Sequence, residues 1–184
     1  MYRSNFSLID RFRNKIRVDK STEVAIGKNS KIVNCTIVVK GKNNTLKIGA
    51  NSKLRASTIE IIGNNCEISI GEGSLVGHNS YLSAKEESIS LIIGDKTALS
   101  RNIKVMTSDG HPIFQNNQRI NHAKNIIIED GVWIADSVTI LKGVTIKKGS
   151  VVGINSTVTK DIPKESIAVG NPCVVVKEDI TWTY

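Results

Sequence analysis

The stretch IEDGVWIADSVTILKGVTIKKGSVVGINSTV, residues 128–158, sets aliphatic side chains at Ile128, Ile134, Ile140, Ile146, Val152 and Val158, six apart without a slip. Four positions after each comes a small or β-branched residue: Val132, Val138, Val144, Ser150, Ser156 and Ile162. A helix repeats every ~3.6 residues and a half-buried strand every ~2, so a period of six is neither. It fits a short strand plus a turn, repeated, with three such units closing a triangular coil. One coil buries little by itself. Stacked coils place the aliphatic residues in an inward column while neighbouring backbones pair about 4.8 Å apart.

The same unit recurs upstream with a longer coil. Ile26, Ile48 and Ile70 stand 22 apart, as do Ile32, Leu54 and Val76, and Ile37 and Ile59; Ile93 follows Ile70 by 23. Gly27, Gly49, Gly71 and Gly94 come directly after these isoleucines, where a missing β-carbon is expected to permit a tight turn. The extra residues fall in KGKNNTLK (40–47) and IIGNNCEIS (61–69), so one corner of the early coils is drawn out. The reading is a single all-β domain over residues 1–184, with the repeat from 24 to 163 and a C-terminal tail from 164 to 184. Residues 1–20 are expected to form a short basic amphipathic helix with Phe6, Ile9, Phe12 and Ile16 on one face, which either docks on the first coil or meets a membrane surface.

Composition narrows the function. A net charge of +8 favours an anionic partner, while 4% aromatic content and the scatter of the lysines argue against a base-stacking nucleic-acid surface. No run of about 18 apolar residues is present to span a bilayer, and the N-terminal stretch lacks the apolar segment of a secretory signal. Cys35, Cys66 and Cys173 make neither an even framework nor a CxxC pair and are expected as reduced thiols. These features point to a cytoplasmic protein.

The rhythm stops between residues 107 and 124, TSDGHPIFQNNQRINHAK. A loop of this length inside a compact repeat is functional or disordered. Its mixture of aromatic, apolar and hydrogen-bonding residues predicts an ordered one.

TSDGHPIF (107–114), QRINHAKNIIIEDGVWIADSVTILKGVTI (118–146), VVGINSTVTKDIP (151–163) and AVGNPCVVVK (168–177) together resemble the acetyl-CoA-dependent O-acetyltransferases of the hexapeptide-repeat family. Within that family the resemblance is strongest to the enzymes that acetylate sialic acid and other sugars of bacterial capsules and O-antigen chains. It extends from Ile93 to Trp182, about half the chain. It implies a left-handed parallel β-helix, a homotrimer with active sites between subunits, acetyl-CoA as donor, a saccharide acceptor, and no metal.

On that resemblance His111 is the general base. A sugar hydroxyl ionises far above neutrality, so its attack on a thioester needs a base poised near pH 7, which imidazole is. Asp109 is expected to orient that ring or to cap the turn. Trp133 should face outward and line the site. Ala135 and Gly153 would flank the pantetheine arm at the coil corners, with Lys160 and Lys177 as point charges for the phosphates. Asn79, Tyr81, Asn121 and His122 are the acceptor-side candidates, and His122 is the competing base. Three other readings stand beside this one: N-acetylation of a nucleotide-linked amino sugar, a non-catalytic β-helix that binds an anionic polymer, and a zinc hydrolyase. The last needs three histidine ligands, which the spacing of His78, His111 and His122 does not match.

Overall fold

In the computed structural model, which describes residues 2–3 and 5–183, the chain winds into a parallel β-solenoid with three faces, of the expected left-handed β-helix class. The first face stacks Glu23–Gly27, Thr45–Ile48, Glu67–Ile70, Ser90–Ile93, Ile126–Ile128 and Thr145–Ile146. The second stacks Lys31–Val33, Lys53–Arg55, Leu75–Val76, Ala98–Leu99, Trp133–Ile134, Val151–Val152 and Ile167–Gly170. Lys15–Val18, Thr36–Lys40, Thr58–Asn64, Tyr81–Glu87, Lys104–Met106, Thr139–Leu141 and Thr157–Val158 make the third. Antiparallel strands close both ends, Tyr2–Arg3 beside Glu23–Gly27 and Cys173–Lys177 beside Ile167–Gly170.

Register follows the sequence period. Ile26, Ile48, Ile70, Ile93, Ile128 and Ile146 pair in one unbroken column inside the first face. Ile32, Leu54, Val76, Leu99, Ile134 and Val152 do so in the second. Ile37, Ile59, Leu82, Val105, Ile140 and Val158 do so in the third. All eighteen are buried, and each contributes roughly 1.5–3 kcal/mol by leaving water. The longer early coils put their extra residues at the end of the third face. There Val39, Ile61 and Ala84 add a second inward column. Asn44 seals the widened corner, accepting from the Cys66 N–H at 2.9 Å and donating to the Gly63 carbonyl at 2.8 Å.

Two expectations change. The glycines that follow the column isoleucines are required by close approach of stacked backbones: a β-carbon on Gly49 would strike the main chain of Gly71 and Glu72. The left-handed corner positions belong to other residues, including Asn51 at φ 59° and Asn79 at φ 57°. At the N-terminus the helix is only Leu8–Arg13, started by a Ser7–Asp10 capping box. It stops at Asn14, whose amide donates to the Asp10 and Ile32 carbonyls and accepts from the Cys35 N–H, tying the chain to the first coil. The apolar period therefore never runs on to Ile16, which lies in a strand. Phe6 is buried and Ile16 packs against the core, but Ile9 and Phe12 point into solvent.

Candidate active site

The chain leaves the third face at Met106 and enters the first at Ile126, so the insertion sits on the corner between those faces. It is folded. Phe114–Gln115 and Gln118–Arg119 form an antiparallel hairpin whose two turn residues, Asn116 and Asn117, have φ of 50° and 62°. Two positive φ values in a two-residue turn suit the twist of paired strands, and asparagine tolerates them.

Two polar clasps hold the insertion to the solenoid. From the coil below, the Glu86 carboxylate accepts from the Arg119 guanidinium, the Ser108 hydroxyl at 2.9 Å and the Ala123 N–H at 3.3 Å. From the coil above, the Lys142 ammonium donates to the Asp109 carboxylate and to the Asn121 carbonyl at 3.0 Å. Burial pushes the Glu86 carboxyl up, but the hydrogen bonds from Arg119, Ser108 and Ala123 with the Arg119 charge outweigh it and hold it below the usual range. Asp109 is likewise held low, chiefly by Lys142 and then against burial by Asn121.

Asn121 is the strut between them. Its side-chain amide donates to Asp109 at 2.9 Å and to the His111 carbonyl at 2.8 Å, while its oxygen accepts from the Ile113 N–H at 2.6 Å. It is buried and its donors are spent inside the loop. His111 and His122 are exposed, and among the described residues no hydrogen bond reaches either imidazole. Asp109 fixes the segment around His111 through Lys142 and Asn121, with no bond to the ring. Glu86, Arg119 and Lys142 carry no sequence signal of this role, because each is an ordinary-looking charge until the fold sets them at one corner.

The other candidates lie elsewhere. Asn79 is a left-handed corner whose N–H bonds the Ala56 carbonyl at 2.9 Å. Tyr81 stands on the same strand as Glu86, its hydroxyl donating to Glu60, which Lys85 also holds at 2.7 Å. Trp133 faces outward from the second face at 39% exposure, its indole N–H donating to the Ser100 hydroxyl at 3.2 Å. Val151, Ile167 and Lys177 continue its column along that face. At the neighbouring corner the Ala135 and Gly153 N–H groups both enter the coil ladder, each at 2.9 Å. Lys160 is exposed in the turn after Thr157–Val158. The second face lies opposite the corner that holds the insertion, so one chain does not bring His111 and Trp133 together.

No family model matches the chain. The polysialic acid O-acetyltransferase of Escherichia coli O1:K1 is 36% identical over 114 residues, which is 59% of this chain and 37% of that enzyme, so the match spans well under half of that curated relative. Two solved structures match over almost their whole length. The polysialic acid O-acetyltransferase OatWY superimposes with a TM-score of 0.80 at 30% identity, covering 93% of this chain and 88% of that one. For the polySia-specific acetyltransferase NeuO the TM-score is 0.72 at 30% identity, covering 90% of each chain. The chain belongs to the hexapeptide-repeat acetyltransferases, the family of these two polysialic acid enzymes.

Proposed function

We propose that the protein is a cytoplasmic, homotrimeric O-acetyltransferase that moves acetyl from acetyl-CoA to a hydroxyl of a surface-polysaccharide sugar, with polymers of sialic acid as the favoured acceptor class. The observation that carries this reading is the clasped insertion, a hydrogen-bonded arm that presents an exposed imidazole beside the solenoid. A second subunit completes the site. Its Trp133 face supplies what the arm of the first subunit lacks, and the exposed Ile113, Phe114 and Ile120 of the arm gain an apolar contact there.

The residues fit an extended, amide-bearing donor. Trp133 offers an apolar wall, Ala135 and Gly153 a regular corner whose N–H groups are already used and whose carbonyls therefore do the contacting, and Lys160 and Lys177 exposed cations for phosphate. Acetyl-CoA supplies the activated acetyl group. His111 takes the hydroxyl proton onto its imidazole as the oxygen attacks the thioester carbonyl, the C–S bond breaks, and the proton passes to the departing CoA sulfur, a role worth about 10²–10⁴ in rate. Asn121, Asp109 and Lys142 hold the His111 backbone in place, and His122, Asn79 and Tyr81 are left to shape the acceptor side.

The test is acetyl transfer from acetyl-CoA to a panel of sialic acid polymers, capsular saccharides and O-antigen saccharides, run beside His111→Ala. A base-labile ester product, lost with His111→Ala, is expected. An amide product would favour amino-sugar N-acetylation, and no transfer to any saccharide would favour the non-catalytic binder.

A further inference from the structure

The N-terminal end of the solenoid carries a feature that the acetyl-transfer site does not use. The Leu8–Arg13 helix is fixed from behind, by buried Phe6 and by Asn14, which bonds the Ile32 carbonyl and the Cys35 N–H of the first coil. With that side anchored, Leu8, Ile9 and Phe12 stand 87%, 62% and 92% exposed. These are the most exposed large apolar side chains clustered on one short element, and the fold leaves them uncovered.

Exposed cations lie on the helix and on the chain that follows it. Arg11, Arg13, Lys15, Arg17 and Lys20 are all exposed, against the exposed Asp19 and the buried Asp10 of the capping box. Phe12, Arg13 and Lys15 line one hollow, and Arg11 and Lys20 line another. Exposed apolar side chains with lysine and arginine on the same short stretch fit the boundary between the headgroups and acyl chains of an anionic bilayer, where the first can leave water and the second meet phosphate. A second copy meeting it tip to tip is the poorer occupant, because that two-fold contact would set the same five cations against their own copies, and a heterologous contact within the proposed trimer is read by the oligomer mass below.

We propose that this tip docks the solenoid, end on, on the surface of an anionic membrane. Among the described residues no helix is long and apolar enough to cross a bilayer, so the contact is peripheral and reversible. It is independent of acetyl transfer.

Vesicle co-sedimentation of the full chain tests it, with phosphatidylcholine vesicles alone and with vesicles that also contain phosphatidylglycerol. Binding is expected only with the anionic lipid, weakening as salt shortens the reach of the charges. A Leu8→Ser/Phe12→Ser variant should bind at least about tenfold more weakly, since each side chain contributes that much or more to partition. Arg11→Ser/Arg13→Ser should bind less and show a shallower salt dependence, since Lys15, Arg17 and Lys20 remain. Both variants change exposed positions, so an unchanged circular dichroism spectrum and thermal midpoint identify the loss as one of docking. Equal sedimentation of wild type with both vesicle types, or of the Leu8→Ser/Phe12→Ser variant with wild type, overturns the proposal. So does a fall in oligomer mass in that variant without any vesicle binding by the wild type, which would make the tip an interface between copies.

Discussion

The indole rings of Trp133 and Trp182 meet with centroids 5.8 Å apart and planes tilted by 42°. Trp182 also donates its N–H to the Gly131 carbonyl at 2.8 Å, and the Ile180 N–H bonds the Glu165 carbonyl at 2.9 Å, so the tail is pinned back across the solenoid. The outward-facing Trp133 is thus partly covered by its own chain. Replacing Trp182 with Ala should free the tail and uncover Trp133. Such tilted aromatic pairs are worth about 0.5–1.5 kcal/mol beyond area. The chain has two tryptophans, so emission of the variant reports Trp133 alone and should move to longer wavelength. Unchanged emission would mean the pair does not form in solution.

The columns were legible because burial is periodic. Ile26, Ile32 and Ile37 each head a line of aliphatics whose spacing in the chain equals one circuit of the coil, and nothing else explains that spacing. The N-terminal helix forms but is shorter than the apolar spacing to Ile16 implies, because the capping box and Asn14 confine it to six residues. The site divides the same way. His111 could be singled out from its surroundings in the chain. Glu86 and Lys142 could not, since Glu86 reaches Arg119 33 residues on and Lys142 reaches back as far to Asp109.

The column of the third face gives a stability prediction. Ile59 is fully buried between Ile37 and Leu82, so Ile59→Ala should lower unfolding free energy by about 2–5 kcal/mol. Ile154 is exposed at a corner, and Ile154→Ala should change it by less than about 0.5 kcal/mol. Urea unfolding followed by far-ultraviolet circular dichroism reads both. Equal effects would contradict the inward assignment.

Asn121→Ala removes three hydrogen bonds from the arm without touching a coil. The fold should keep its thermal midpoint, while kcat falls on the order of 10²-fold because the His111 backbone loses its strut. KM for acetyl-CoA should hold, as the donor-side residues lie on another face. A matching rise in KM with unchanged kcat would place Asn121 in contact with substrate.

Lys142→Ala and Asp109→Asn should weaken the upper clasp to similar extents and should not add when combined, since each leaves the other without its charge partner. A double-mutant cycle on kcat is the measurement. Strict additivity would show that Asp109 acts on the reaction by some route other than Lys142, orientation of the His111 ring among them.

Acidification should release the arm before it loosens the coils. Glu86 and Asp109 have carboxyls held below their ordinary values by Arg119 and Lys142, so the clasped arm binds fewer protons than the released arm. The stabilisation is complete above the unfolded carboxylate pKa of about 4 and disappears as the pH falls through the depressed folded values. The aliphatic columns do not titrate. Hydrogen exchange, corrected for its intrinsic pH dependence, should therefore speed up in residues 107–124 below about pH 4 while the coil strands stay protected. In Glu86→Gln the lower clasp loses its charge, leaving a part-buried Arg119 without its charge partner at about 1–3 kcal/mol, and the arm should exchange fast already at neutral pH with a flatter acid response. An arm whose protection is the same at neutral and acid pH, in both proteins, would show that its order comes from the hairpin and not from the two carboxylates.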